Sequence, residues 1–136
     1  MPRRRPGAVR ADRPEPRDTP IPGISRRAQA AIEFAAAHRG AGSVSQALDR
    51  YRSFLRQPGR WLYVPWTDCP CCDPVDARDE LEAVLRALPP GARAELRRVV
   101  APLDEEFRRR TLPDPTASSL SSWHAAGWWR QRLQER

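Results

Sequence analysis

Three cysteines within four residues are the side chains of this sequence best suited to chemistry. They lie in the stretch 68–73, where Cys69 and Cys72 have the two-residue gap of a zinc knuckle. A closed tetrahedral zinc site needs four ligands, and beyond Cys71 the remaining candidates are two distant histidines, His38 and His124. Adjacent cysteines seldom face the same ion, so ligation by all three thiols of one chain is sterically awkward. The alternative is a zinc-clasped dimer, in which each chain donates Cys69 and Cys72.

A redox role is the second interpretation of these cysteines. Cys69 and Cys72 form a C-x-x-C pair that follows an extended segment containing Trp66 and precedes a predicted helix, which is similar to the thioredoxin active site. A helix N-terminus lowers the pKa of a thiol by stabilising the thiolate, but Asp68 and Asp73 would raise it, and the βαβ pattern of that fold is missing. The sequence therefore favours the plainest interpretation, three reduced thiols in a turn packed partly against Trp66.

Two predicted helices before the cysteines raise the question of DNA recognition. The stretch from Ser43 to Leu48 resembles the opening of the recognition helix in lac-repressor-type DNA-binding domains, and the resemblance covers about twenty residues. It implies that Gln46, Arg50 and Arg52 contact bases and phosphates. The sequence departs from the motif in the turn at 39–42, which has an Arg where an apolar residue is needed and two glycines. The competing interpretation is a packed helical hairpin with a solvated polar face.

Positive charge is concentrated in the first half of the chain. Residues 1–60 carry thirteen Arg against five acidic residues, a balance of +8, whereas residues 61–136 carry eleven against twelve, a balance of −1. A basic half is typical of proteins with an anionic partner such as nucleic acid. The absence of Lys and Asn fits coding from GC-rich DNA, which weakens this argument. The strongest candidates for a non-specific grip on nucleic acid or an acidic protein surface are Arg3, Arg4 and Arg5.

Five tryptophans are many for 136 residues, and tryptophan is enriched at the energetic centres of protein interfaces. Trp128 and Trp129 are adjacent on a predicted tail helix and diverge by about a hundred degrees. Both can hardly be buried in one small core, so one is expected to be exposed or to meet a partner, unless the tail folds back. The predicted partner-binding residues are Trp61, Trp66, Trp123, Trp128 and Trp129.

Four helices are predicted from apolar spacing and capping residues. The first follows Ser25 and ends near His38, the second begins with a capping box at Ser43 and ends at Pro58-Gly59, and the third opens at Asp73-Pro74. The fourth follows Pro89-Pro90-Gly91, and Pro102 inside it should kink or split it. Its Asp104, Glu105 and Glu106 are predicted to pair at i,i+4 with Arg108, Arg109 and Arg110. The aromatic stretch 60–66 is the one extended segment, expected to lie across the helices and insert its aromatic side chains as anchors.

These elements predict an all-α fold, a small irregular bundle of four to five short helices. Residues 1–23 hold six prolines and six arginines and read as a disordered arm. Residues 24–111 form the predicted domain, and residues 112–136 a Pro/Ser linker followed by a Trp-rich tail helix. The chain shows neither a membrane-spanning stretch nor a signal peptide, which indicates a cytoplasmic protein.

The functional prediction is a non-enzymatic interaction protein that binds a protein partner through its aromatic residues and tail. Phosphate-binding loops and hydrolase or metalloprotease motifs are absent from the sequence, which argues against an enzyme. No cofactor is predicted unless the cysteines bind zinc. The alternatives are a small DNA-associated protein, using the hairpin and the arm, and the zinc-clasped dimer.

Overall fold

The computed structural model describes residues 19–40, 42–66, 69 and 71–135, and this part of the chain is mostly helical. It contains five α-helices, and no strand is found among these residues. The all-α prediction is confirmed. The part of the predicted arm up to residue 18 lies outside the described residues. Its last residues were wrongly assigned, because Ile21 is buried in the core and the Ile24 N–H donates to the Ile21 carbonyl.

Three of the four long helices begin where the capping residues predict, and the fourth begins at Pro90, inside the Pro89-Pro90-Gly91 stretch that it was expected to follow. Helix α1 spans Arg26–His38 and α2 spans Val44–Leu55, each with a serine, Ser25 or Ser43, whose side chain accepts an amide hydrogen bond from the first turn. Helix α3 spans Pro74–Ala87 and is capped by the Asp73 carboxylate on the Val75 N–H. Helix α4 spans Pro90–Arg110.

Helix α4 continues through Pro102 as one α-helix of 21 residues, so the predicted split does not occur. Proline removes one amide donor from the helix, and the burial of Leu96, Val100 and Phe107 on either side of it holds the helix together. The predicted pairing of its acids is wrong for Asp104, which turns inward to Arg78 of α3 at 2.9 Å. Glu106 does pair at the predicted i,i+4 spacing, with Arg110 at 3.9 Å, and it pairs more closely with Arg109 at 2.7 Å, one residue nearer.

The core lies where α1 packs mainly against α4 and α2 mainly against α3. The predicted α1–α2 hairpin is therefore not the packing unit of this bundle. The largest side chains that are completely buried come from all four long helices and include Ile32, Leu48, Tyr51, Leu81, Leu96 and Phe107. Such burial of apolar area is the main source of stability for a domain of this size.

The extended segment 61–66 is held by the end of α4 and by the tail. The Leu62 N–H donates to the Arg110 carbonyl at 2.7 Å and the Val64 N–H to the Leu133 carbonyl at 3.0 Å. Val64 also forms an isolated parallel bridge with Gln134. Leu62 and Val64 are the buried anchors, so the prediction that the aromatic side chains would insert is wrong.

The tail after residue 111 is less helical than predicted. It contains a short helix α5, Ser122–Ala125, and two 3₁₀ turns, at Ala117–Ser119 and Trp128–Arg130. Gly127, between α5 and the second turn, has an extended φ of −149°. An isolated antiparallel bridge joins Pro113 to Arg132. Within the described ranges, no helix is both long and apolar enough to cross a membrane.

Candidate functional site

The extended segment carries three exposed aromatic side chains, Trp61, Tyr63 and Trp66, and we call this segment the aromatic edge. Their exposed fractions are 42%, 44% and 79%. Side chains of an extended chain alternate between its two faces, so burial of Leu62 and Val64 places Trp61 and Tyr63 together on the outer face. Exposed rings at this spacing form an apolar surface that water solvates poorly.

The backbone of the aromatic edge is paired on one side only. Val64 uses both its N–H and its C=O on the tail, accepting from the Glu135 N–H at 2.9 Å. The peptide groups of successive residues in an extended chain point to opposite sides, so those of Tyr63 face away from the tail. Among the described residues neither group of Tyr63 has a hydrogen-bond partner. An unpaired strand edge of this kind is a template for another extended chain.

Arg110 at the end of α4 fixes the chain that leads into the aromatic edge. Its guanidinium donates to the carbonyl of Leu55, to that of Gln57 at 2.6 Å and to that of Gly59 at 2.5 Å. The Leu55 carbonyl is one that the end of α2 leaves without a helical partner, and the other two belong to the turn that follows the helix. Gly59 has φ of +105°, a conformation that glycine adopts without strain. The side chain of Arg110 thus fixes the turn that leads into the aromatic edge.

The two adjacent tail tryptophans do not form part of this surface. Trp129 is 5% exposed, and its indole N–H donates to the Asp79 carboxylate of α3 at 2.6 Å. Trp128 is half-buried, with its ring 5.9 Å from that of Phe107 and beneath the guanidinium of Arg108. The expectation that one of the pair would stand free is wrong, because the tail folds back and the 3₁₀ turn directs both rings toward the helices.

Trp123 is the one tail tryptophan with a largely exposed ring. The guanidinium of Arg130 lies 4.5 Å from its ring centroid, and His124 meets it edge-on. Arg130 also donates to the Trp123 carbonyl at 2.7 Å. These contacts within the tail occupy one face of the ring, so Trp123 is a weaker candidate for a partner than the aromatic edge.

The cysteine cluster lies in the turn before α3. Cys69 and Cys71 are joined by a disulfide, and Cys72 is a free, exposed thiol. The interpretation as three reduced, partly buried thiols is therefore wrong in both respects. All three sulphur atoms lie within 4.8 Å of one another, those of Cys69 and Cys71 because they are bonded to each other. His38 and His124 are not members of this cluster: His38 stacks on Phe34, and His124 bonds to Ser121.

The predicted DNA-reading face of α2 is divided between solvent and α3. Gln46 is exposed, and Arg52 is 3.8 Å from Asp49 on its own helix. Arg50 instead forms ion pairs with Asp76 at 3.4 Å and Glu80 at 2.8 Å, both on α3. An arginine neutralised in this way contributes little to phosphate binding. Arg3, Arg4 and Arg5 lie outside the described residues.

Sequence reasoning missed Tyr63 as a surface residue. The available signal was the alternation of aromatic and aliphatic residues from 61 to 64, which is the period of a strand with one buried face. It also missed Arg78, whose partners are distant in sequence. No protein-family model, curated protein or solved structure matches the chain.

Proposed function

We propose that the protein is a non-enzymatic binding protein that holds an extended segment of a protein partner along its aromatic edge. The single observation that carries the proposal is the combination of three exposed rings with an unpaired Tyr63 backbone on the same six-residue segment. Strand addition of this type takes its affinity from main-chain hydrogen bonds and its specificity from side chains that grip alternate residues of the peptide.

The rigidity of the aromatic edge supports this function. Leu62 and Val64 anchor it in the core, and the Arg110 carbonyl, Leu133 and Glu135 hold its inner side. A preformed edge loses little conformational entropy when a partner binds. Tyr63 also borders an open cleft on the tail side of the segment, lined by Leu133, Gln134 and Glu135.

The proposal can be tested by selecting peptides that bind the full chain. A random library suits this purpose because it contains many extended sequences that the aromatic edge could hold. A displayed library of random twelve-residue peptides would be enriched on the immobilised protein, and the affinity of the enriched peptides measured by fluorescence anisotropy. We expect Trp61→Ala and Trp66→Ala each to weaken binding by about tenfold or more, as for residues at the centre of an interface. The matched control is Trp123→Ala, which removes an exposed tryptophan outside the aromatic edge.

Two results would count against the proposal. One is equal weakening by Trp123→Ala, which would indicate general stickiness of exposed tryptophan. The other is enrichment of peptides whose binding ignores both substitutions on the aromatic edge. A nucleic-acid-binding protein would behave differently again: it would bind duplex DNA at low salt and lose that affinity steeply as salt rises, whereas a strand-addition interface is much less sensitive to salt.

A further inference from the structure

The three sulphur atoms of the cysteine cluster lie close together in one exposed turn. The Sγ atoms of Cys71 and Cys72 are 3.4 Å apart, and all three sulphurs lie within 4.8 Å of one another on exposed side chains. Two thiolates bound to one tetrahedral ion lie about 3.8 Å apart, because each metal–sulphur bond is about 2.3 Å. Once the Cys69–Cys71 bond is opened, side-chain rotations that move the sulphurs apart to this distance would place all three around a common centre.

The chemistry of the ligands narrows the choice of metal. Within the described part of the chain the cluster consists of three cysteines and includes no carboxylate or imidazole. A set made only of sulphur selects soft ions. Structural zinc is almost always held by four ligands, whereas monovalent copper accepts trigonal coordination by three soft thiolates. Three sulphurs in one exposed turn therefore fit trigonal monovalent copper better than four-coordinate zinc.

We propose that Cys69, Cys71 and Cys72, once reduced, bind one Cu(I) ion per chain through three thiolates. This site is separate from the aromatic edge and does not depend on the function proposed for it. A Cu(I) ion entering the site displaces the three thiol protons into solvent. The coordination needs a single chain, which distinguishes it from a metal clasp between two chains.

The disulfide makes this site conditional on the redox state. Two of the three sulphur ligands are tied to each other in the Cys69–Cys71 bond. A dithiol reductant opens that bond by thiol–disulfide exchange: it supplies two electrons and two protons, leaves as its own cyclic disulfide, and yields the free thiols of Cys69 and Cys71. Cys72 is already a free thiol. The oxidised chain thus retains one ligand and the reduced chain has three.

A Cu(I) titration of the full chain under anaerobic conditions tests the proposal. Protein reduced with a phosphine and then freed of it would be titrated with Cu(I)–acetonitrile in competition with the chromophoric chelator bicinchoninate. We expect one ion per chain for the reduced protein and none for the oxidised protein. Cys69→Ser, Cys71→Ser and Cys72→Ser should each weaken binding by about a hundredfold, because loss of a ligand costs at least as much as loss of its supporting shell. His38→Ala, remote from the cluster, is the matched control.

Native mass spectrometry of the same samples separates the alternatives. A monomer that carries one copper and depends on all three cysteines supports the proposal. A metal-linked dimer that needs Cys69 and Cys72 but tolerates Cys71→Ser would overturn it in favour of the two-chain clasp. If the variant with all three cysteines replaced by serine binds as many copper ions per chain as the wild type, the binding is adventitious and the proposal is overturned. Circular dichroism of each variant checks the helices, which should be unaffected because all three side chains are exposed.

Discussion

Arg78 joins α3 to α4 and to the tail. It is 6% exposed, and its guanidinium donates to both oxygens of Asp104, at 2.9 and 3.1 Å, and to Glu82 at 3.0 Å. The Trp129 ring lies 4.3 Å from it. Tyr51 donates to the same Asp104 carboxylate at 2.9 Å, and burial together with that carboxylate raises the pKa of Tyr51, so that its hydroxyl stays protonated. Charges buried in this way are stable only while every partner is present.

Replacement of Arg78 by Met keeps the aliphatic stem but leaves Asp104 buried without its counter-charge. We expect the free energy of unfolding to fall by about 3–5 kcal/mol, measured by urea denaturation. The double variant Arg78→Met, Asp104→Leu should recover much of that loss, since removal of both charges ends the mismatch. The control Arg86→Met removes a 67% exposed partner of Glu82 and should cost less than about 1 kcal/mol. Equal losses for Arg78→Met and Arg86→Met would contradict this account.

Glu82 makes part of the stability dependent on pH. Burial alone would raise the pKa of Glu82, but hydrogen bonds and charge from Arg78 and Arg86 outweigh burial and hold that pKa below its usual value of 4.5. The stabilisation from this shift is complete above pH 4.5 and is lost as the pH falls through the lower, folded-state pKa.

Lowering the pH from about 5 to about 3 should therefore destabilise Glu82→Gln less than it destabilises the wild type, because the variant has no carboxyl group to protonate at this position. The urea midpoints of both proteins at the two pH values measure the difference. The control is Glu105→Gln, which removes an exposed carboxylate of α4 and should leave the difference between the two pH values as in the wild type. If the pH profile of Glu82→Gln runs parallel to that of the wild type, the ion pair with Arg78 does not titrate as described.

Among the elements, α4 contains an evident local weakness. Pro102 lies inside its 21 residues and cannot donate to the carbonyl one turn earlier, a defect that costs about 3 kcal/mol in an ideal helix. The packing of the apolar residues on either side of Pro102 and the pairing of Asp104 with Arg78 hold the helix across this point. Tertiary contacts thus overrule the local preference of the sequence.

Pro102→Ala should restore the missing hydrogen bond and raise the free energy of unfolding by about 1–3 kcal/mol, reduced somewhat by the greater freedom of the unfolded chain. Chemical denaturation gives the value directly. Ala101→Gly changes an exposed neighbour on the same helix. It should lower the free energy of unfolding by about 1 kcal/mol and so provides a reference for the effect of Pro102→Ala. A loss of stability in Pro102→Ala would show that α4 requires the proline for its packing.

The elements that the sequence predicts well are those defined by local rules. Ser25, Ser43 and Asp73 are capping residues whose role depends only on the next turn of chain, and they mark three helix starts correctly. The tail could not be predicted in this way. Trp129 meets Asp79 fifty residues earlier in the chain, and Arg78 meets Asp104 across 26 residues, so no local window contains both partners. The convergence of the cysteine sulphurs likewise depends on backbone geometry that residue spacing does not define.

For the molecule as a whole, the tail serves as part of the core. Trp129 belongs to the same buried cluster as the four long helices, and Arg130 joins the indole in bonding to Asp79, at 2.9 Å. Arg132 donates to Thr111 and to the carbonyl of Arg108 at the end of α4. Tail and helices are therefore expected to unfold together, in one transition.

Trp129→Ala should cost about 3–5 kcal/mol, because it leaves a large cavity and removes a partner of Asp79. In the wild type, unfolding in one transition means that near-ultraviolet and far-ultraviolet circular dichroism should give the same urea midpoint. Trp123→Ala, which removes an exposed ring from the same tail, should cost less than about 1 kcal/mol. Two separate transitions in the wild type would mean that the tail and the helices are independent units.

The return of the tail to the helices also sets an order on biosynthesis. The ribosome makes a chain from its N-terminus, and domains generally begin to fold as they emerge. Helices α1, α2 and α3 are made before the end of α4 and the tail, so the nascent chain displays uncovered apolar surface, an unfilled place beside Asp79 and an extended segment without its contacts to Arg110, Leu133 and Glu135. During that interval the segment that later carries the aromatic edge is open on both sides, and it is then that a chaperone has most to recognise.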